Sequence, residues 1–207
     1  QGDADTMITG LTKNYRSTLR PILQTIGLKK GVNVAAGMYI LITKKGPMFL
    51  ADTTVNRNPS AEEIAEITIN VAKTIKRLRV APIVSLLSYS NFGSSPGEDP
   101  KKMAKAISII HKAEPELIVD GEMQANFALN KELLNEKFPF SLLSQKEANT
   151  LIFPNLSSGN ISYKLMQQIT DGDAIGPILI GLNKPVHVLQ LGCSVREIVN
   201  MVKVAVI

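Results

Sequence analysis

A segment rich in glycine and serine is the first place in this sequence where residue type and spacing suggest chemistry. It directly follows a short apolar run and contains Ser88, Ser90, Asn91, Gly93 and Ser94. Strand-to-helix loops of this composition can present backbone N–H groups to an anion, because glycine permits close approach and the following helix starts with unpaired N–H groups. The segment predicts an anion-binding loop, with an ordinary loop as the alternative.

Three further polar side chains come shortly after predicted strands, at Asp120, Asn155 and Asn160. In open α/β sheets, ligands bind beyond the carboxyl ends of the strands. Each of the three is expected either to position a ligand or to cap the following helix.

The histidines and the single cysteine give weaker signals. His111 and His187 are far apart and lack the spacing of metal ligands, so we expect no metal site. Cys193 precedes a predicted helix, whose dipole would lower a thiol pKa, but a lone cysteine is more often a small buried apolar residue. No Gly-x-Gly-x-x-Gly motif follows a strand, so the chain carries no nicotinamide-binding signature.

The pattern of apolar residues predicts the elements that must position these groups. A helix is expected over 15–26, and a hairpin over 34–43 and 47–51. Ser60 and Glu63 form a capping box that opens a long helix. Strands then alternate with helices, and Asp99 is expected to cap the helix that Pro100 begins. The predicted strands are 83–87, 117–119, 151–153, 178–180 and 186–189, and the predicted helices are 100–112, 126–137, 159–169 and a terminal helix from Ser194.

This alternation predicts an α/β fold with a mostly parallel sheet flanked by helices and one antiparallel hairpin. The 207 residues, 44% hydrophobic and 20% charged, suit a packed globular protein. The longest apolar runs are far shorter than the roughly 20 residues that span a bilayer, so no membrane segment is expected. We expect a cytoplasmic protein that is a piece of a longer chain, since it begins at Gln1. The net charge of +5 is scattered and tryptophan is absent, which argues against nucleic-acid binding.

Eight motifs occur in order along the chain. They are Gly2-Asp3-Ala4-Asp5, Thr18-Leu19-Arg20-Pro21, Asp52-Thr53-Thr54-Val55-Asn56 with Asn58-Pro59, Leu87-Ser88-Tyr89-Ser90 with Gly93-Ser94, Val119-Asp120-Gly121-Glu122, Phe153-Pro154-Asn155 with Gly159-Asn160, Ala174-Ile175-Gly176-Pro177-Ile178, and Gly181-Leu182 with Lys184-Pro185-Val186. With them the chain resembles the phosphate acetyltransferase and phosphate butyryltransferase family over essentially its whole length. The residues of these motifs are most similar to those of the transacetylase-like domain at the carboxyl end of bacterial NADP-dependent malic enzymes.

The resemblance implies a two-lobed phosphotransacetylase-like module, related in fold to isocitrate and isopropylmalate dehydrogenases. Coenzyme A and the acyl group would lie in the cleft between the lobes, and a homodimer or higher oligomer would form largely through the second lobe. In this chain the second lobe would be 32–180. Residues 1–31 and 181–207 would form an incomplete first lobe.

The resemblance also implies a set of residues that bind acyl-CoA or phosphate. They are Arg20, Ser88, Ser90, Asn91, Gly93, Ser94, Asp120, Asn160 and Gln190. Family members that catalyse acetyl transfer carry the segment Leu-Ser-Arg-Gly-Cys-Ser, with the Ser and Arg at the reacting centre. An Asp that acts as the base follows this segment. Here the segment reads Leu189-Gln190-Leu191-Gly192-Cys193-Ser194, and the position of the base falls on Glu197. Glu197 also stands three residues after Ser194, which is the spacing of a capping box.

These departures predict that the module is non-catalytic. The resemblance implies that it binds acetyl-CoA, regulates an upstream malic enzyme domain and contributes to oligomer formation. No cofactor is expected in this chain other than coenzyme A or acetyl-CoA as a ligand. One alternative is an active phosphate acetyltransferase with Glu197 as base and Arg20 binding phosphate. A second is a scaffold that only assembles the oligomer and binds nothing.

Overall fold

The computed structural model describes residues 3–170 and 173–206. Gly2, the first residue of the first motif, lies outside the described residues. The strands are β1 (Met7–Gly10), β2 (Ala36–Thr43), β3 (Gly46–Ala51), β4 (Val84–Leu87), β5 (Val119–Met123), β6 (Thr150–Ile152), β7 (Ala174–Ile180) and β8 (Val186–Leu189). The helices are α1 (Tyr15–Thr25), α2 (Ala61–Arg77), α3 (Glu98–Ala113), α4 (Ala125–Ala128), α5 (Lys131–Lys137), α6 (Leu156–Thr170) and α7 (Val195–Ala205).

Six strands form the main sheet, in the order β5-β4-β6-β3-β2-β7. Strands β5, β4, β6 and β3 pair in parallel, and β2 runs antiparallel to both β3 and β7. This confirms the mostly parallel α/β sheet and the predicted hairpin. Strands β1 and β8 form a separate parallel pair that packs with α1. The lobe boundaries 1–31, 32–180 and 181–207 stay a prediction.

The two faces of the main sheet are covered by different helices. Alternate residues of a strand point to opposite faces. Met38 and Ile40 pack with α2 and α3 in one apolar cluster. Tyr39 and Leu41 pack with Tyr163 of α6 in another. The sheet therefore separates α2 from α6, which decides which residues can share a cavity.

Several element boundaries differ from the predictions, and capping explains two of them. The N-cap of α3 is Gly97 rather than Asp99, which instead lies in the first turn. The predicted helix 126–137 is two helices, because the Asn130 side chain accepts from the Leu133 N–H and caps α5. Helix α6 begins before 159 because the Asn155 side chain accepts from the N–H of Ser158.

Strand bounds also differ from the sequence prediction, by one or two residues in β2, β3, β4 and β6 and by more in three other strands. Strand β1 was not predicted. Strand β7 begins at Ala174 and includes Pro177, which is tolerated because β7 lies at the sheet edge. Strand β5 continues through Asp120 and Gly121, which pair with β4 although they are not apolar.

Among the described residues, none of the helices has both the length and the apolar character needed to cross a lipid bilayer.

Candidate functional site

The loop after β4 makes a hydrogen-bond network of its own. The N–H of Ser90 donates to the Ser88 hydroxyl at 3.3 Å, and the N–H of Asn91 donates to the Ser94 hydroxyl at 2.9 Å. The Ser95 N–H donates to the Ser90 hydroxyl at 3.1 Å. Donors that were expected to hold an external anion are therefore already used by the loop itself.

A buried carboxylate from β5 contacts this loop. Glu122 is 2% exposed, and its carboxylate accepts from the N–H of Gly93 at 2.7 Å, while its backbone carbonyl accepts from the N–H of Phe92 at 2.8 Å. One N–H group of the predicted anion-binding loop is thus engaged by an internal carboxylate. Ligand binding by Ser88, Ser90, Asn91, Gly93 and Ser94 stays a prediction. Sequence reasoning missed Glu122, although an acidic residue next to Gly121 in a motif was a usable signal.

Asp120 lies inside β5 rather than after a strand, and its carboxylate is also engaged internally. One oxygen accepts from the N–H of Gly121 at 2.9 Å. The other accepts from the Ser141 hydroxyl at 2.7 Å and from the Leu142 N–H at 2.8 Å. Asp120 therefore anchors the segment that follows α5.

The loop after β3 is organised around the buried carboxylate of Asp52, which is 4% exposed. Its oxygens accept from four backbone N–H groups, those of Gly37, Thr54, Val55 and Asn56. Burial raises the pKa of Asp52, and the four N–H donors oppose that rise. This network fixes the shape of the loop at the carboxyl end of β3.

Helix α6 packs closely against the same loop. The Asn160 side chain donates to the Thr53 carbonyl at 3.1 Å. A Cβ on Gly159 would stand 2.3 Å from the Asp52 carbonyl oxygen, so only glycine permits this approach. The structure thus brings Asn160 to the Asp52 loop.

Gln190, at the end of β8, meets a cluster of tyrosines. The Tyr163 hydroxyl donates to the Gln190 side-chain oxygen at 3.1 Å, and the rings of Tyr39 and Tyr163 stack 4.1 Å apart. The Tyr15 hydroxyl is buried without a hydrogen-bond partner among the described residues. Burial, followed by the nearby Asp52 and Tyr163, raises the pKa of Tyr15. Sequence reasoning did not single out Tyr15 as a member of this cluster.

The segment after Gln190 carries no cation at the position next to it. Leu191 is 63% exposed and offers no hydrogen-bond donor on its side chain. Glu197 is engaged in a capping box, in which one carboxylate oxygen accepts from the Ser194 N–H at 2.7 Å and from its hydroxyl at 2.8 Å. The predicted capping box is confirmed, and it engages one of the two carboxylate oxygens of the residue that would serve as a base.

Comparisons of its sequence and its structure relate the chain to known proteins. The chain matches the phosphate acetyl/butaryl transferase family over residues 1–206. This chain belongs to that family. It is 44% identical to an NADP-dependent malic enzyme from Haemophilus influenzae over its whole length, and 39% identical to a phosphate acetyltransferase from Clostridium acetobutylicum. It spans 27% of the former and 64% of the latter. A phosphotransacetylase structure from Streptococcus pyogenes superposes with a TM-score of 0.92 at 37% identity, covering 99% of this chain and 63% of that one.

Arg20 of this phosphate acetyl/butaryl transferase family member is exposed on α1. In the described part of the chain it makes no ion pair, so its guanidinium is available to a phosphate. No side-chain hydrogen bond or ion pair among the described residues links it to the loop after β4 or to Gln190. Its role in binding stays a prediction.

The remaining candidate groups of this family member have structural contacts. Burial, followed by Glu197, raises the pKa of the Cys193 thiol, which argues against a reactive thiolate. A ring nitrogen of His111 lies 3.0 Å from the Val119 carbonyl. In the described ranges, no three His, Cys, Asp or Glu side chains come together as metal ligands.

Proposed function

We propose that this domain is a regulatory module that binds acetyl-CoA without turning it over, within a malic enzyme. The observation that carries the proposal is the segment after β8. Gln190 accepts from Tyr163, and the neighbouring Leu191 is exposed and apolar. The similarity to NADP-dependent malic enzymes over the whole of this chain supports the placement in such a parent.

The loss of a donor at Leu191 bears directly on catalysis. Acyl or phosphoryl transfer develops negative charge that preorganised donors must stabilise, and removing one donor costs about 10²- to 10³-fold in rate. A leucine supplies no such donor. The capping box also holds Glu197 at the start of α7 by one of its carboxylate oxygens, which restricts how this carboxylate can approach a thiol as a base.

Regulation requires more than binding, because a ligand shifts an equilibrium only by its differential affinity for two states. A useful effect of about 1 to 3 kcal/mol corresponds to roughly a 5- to 150-fold change in affinity at the coupled site. We propose that acetyl-CoA binding here changes the apparent affinity of the parent for malate by a factor in that range. The coupling would pass through a homo-oligomer of the parent.

The first experiment measures acetyl phosphate formation from acetyl-CoA and phosphate by the full-length polypeptide. The phosphate acetyltransferase from Clostridium acetobutylicum serves as positive control. We expect turnover at least about 10²-fold below that control, given the missing donor. Turnover within about tenfold of the control would contradict the proposal and support an active transferase.

The second experiment measures acetyl-CoA binding to the same polypeptide by titration calorimetry. We expect saturable binding that weakens about tenfold in Arg20→Ala, as the loss of a charge-assisted contact predicts. Lys112→Ala is the control, because it removes an equally exposed positive charge from α3. Absence of binding to the unaltered polypeptide would instead support the scaffold alternative.

A further inference from the structure

A cavity on the α2 side of the sheet has the lining of an anion-binding site. Its volume is about 500 Å³, which is within the range of small-molecule sites. It lies between the carboxyl half of α2, the β7–β8 connection and the end of α7. None of the candidate acyl-CoA residues lines it.

Basic side chains from three separate segments converge on this cavity, namely Lys29, Arg77 and Lys184. Each is exposed, and none of the ion pairs in the described part of the chain includes them. Lys73 also lines the cavity but pairs with Glu114 at 2.8 Å. The dipole of α2 accounts for a cation at Arg77, in its last turn, but not for Lys29 and Lys184.

A buried histidine adds a donor of fixed tautomer to the wall. His187 is 4% exposed and lines the cavity. Its Nδ1 accepts from the Leu179 N–H at 3.2 Å, so the ring proton is on Nε2. Nε2 has no acceptor among the described residues. Because the ring lines the cavity, this N–H can donate to an anionic ligand there.

The rest of the wall is apolar. Ile178, Ile180, Leu182 and Val204 line it beside the cations. A ligand that fits this surface carries negative charge at one end and an apolar or flat organic part at the other. Inorganic phosphate alone would leave the apolar wall uncovered.

We propose that this cavity binds a small organic diphosphate, with its phosphates on Lys29, Arg77 and Lys184 and its organic part against the apolar wall. A free nucleoside diphosphate and the nucleotide end of a larger cofactor share this chemistry. The inference goes beyond the proposed function and does not rest on it. The sheet separates the cavity from the contact between Gln190 and Tyr163, since α2 and α6 cover opposite faces.

The experiment titrates ADP and, separately, pyrophosphate into the full-length polypeptide at low ionic strength. We expect ADP to bind at a saturable site, and more tightly than pyrophosphate because the apolar wall contributes. Lys29→Ala and Lys184→Ala should each weaken ADP binding about tenfold. Their matched controls are Lys30→Ala, at the adjacent position, and Lys76→Ala, beside Arg77 on α2. Neither Lys30 nor Lys76 lines the cavity, so both controls should bind ADP as the unaltered protein does.

Loss of ADP binding in the control variants to the same extent, or no binding of ADP at all, would overturn the proposal. Titration of acetyl-CoA into the same variants distinguishes the two sources. An affinity for acetyl-CoA that falls with that for ADP would identify the nucleotide end of the larger cofactor as the ligand. An unchanged affinity for acetyl-CoA would identify a free nucleotide. Both results support binding of a diphosphate in the cavity, and neither depends on the outcome of the turnover assay.

Discussion

Asp52 is the residue around which the loop after β3 is built. Its buried carboxylate satisfies four backbone N–H groups that would otherwise lack partners near the carboxyl end of the strand. The Asn56 side chain extends the network to the Ala35 carbonyl at 2.7 Å. This residue therefore acts through the shape of the loop rather than as an exposed acid or base.

Gly159 allows α6 to approach this loop, and Gly159→Ala tests that role. The added Cβ would lie 2.3 Å from the Asp52 carbonyl oxygen, so backbone must move. We expect the free energy of unfolding to fall by about 1 to 3 kcal/mol, although alanine is the better helix former. Urea unfolding measures the change. Ser157→Ala, at an exposed position of the same helix, is the control and should change stability by less than about 0.5 kcal/mol.

His187 predicts a dependence of stability on pH. Burial lowers the pKa of His187 to about 4, below its ordinary 6.5. Between these values the unfolded chain binds a proton that the folded chain does not, so stability is lost as pH falls through this window. The difference in free energy of unfolding between the unaltered protein and His187→Asn should shrink by up to about 3 kcal/mol from pH 6.5 to 4.

The measurement is urea unfolding at a series of pH values in a buffer without phosphate. His187→Asn keeps a side-chain acceptor for the Leu179 N–H and removes the titrating ring. A difference between the two proteins that does not change with pH would contradict the assignment.

At the scale of elements, helix caps decide where several helices begin. The capping boxes of α2 and α7 are built alike, from Ser60 with Glu63 and from Ser194 with Glu197. Both were visible in the sequence, because the box depends only on residues three apart. The Asn130 cap that divides α4 from α5 is equally local, yet the apolar pattern across it is continuous and hides it.

Two substitutions distinguish the hydrogen-bond geometry of the α7 capping box from the negative charge of Glu197 as the source of its stabilisation. Ser194→Ala should lower the free energy of unfolding by about 1 kcal/mol, because an N-cap acceptor is lost. Glu197→Gln should change it by less than about 0.5 kcal/mol, because glutamine can complete the same box. Chemical unfolding monitored by circular dichroism gives both values.

Ser60→Ala in α2 is the matched control for the cost of losing one cap. Equal losses from Ser194→Ala and Glu197→Gln would mean that the negative charge itself, rather than the cap geometry, stabilises α7.

At the scale of the whole molecule, the exposed face of α6 carries three large apolar residues. Ile161, Leu165 and Ile169 recur every four residues, so they form one stripe, and each is more than half exposed. Stripes of this kind mark interaction surfaces when they are contiguous. We expect a second copy of the chain to cover this stripe in the homo-oligomer through which the proposed coupling would pass.

Leu165→Glu tests this surface. We expect the molar mass of the full-length polypeptide, measured by light scattering after gel filtration, to fall to that of a smaller assembly, because a buried unpaired carboxylate is costly. Gln167→Glu is the control, since it adds the same charge two residues along the helix, on the side away from the stripe. An unchanged mass for Leu165→Glu would exclude the stripe from the interface.

The sequence by itself determined much of this protein. The α/β class, the hairpin, the capping boxes and the family followed from periodicities and motifs that depend on residues close in the chain. The predicted ends of some strands were wrong because pairing with a neighbouring strand overrides local residue preference. In β5, for example, Asp120 and Gly121 join the sheet by pairing with β4.

Only the tertiary structure decided how the candidate site residues are used. Folding places the Glu122 carboxylate against the Gly93 N–H of the loop after β4, although the two residues are 29 positions apart in the sequence. The contact of Gln190 with Tyr163 and the convergence of Lys29, Arg77 and Lys184 are likewise long-range. A sequence states which donors and charges a chain carries, but the partners of each group depend on which segments the packed core brings together.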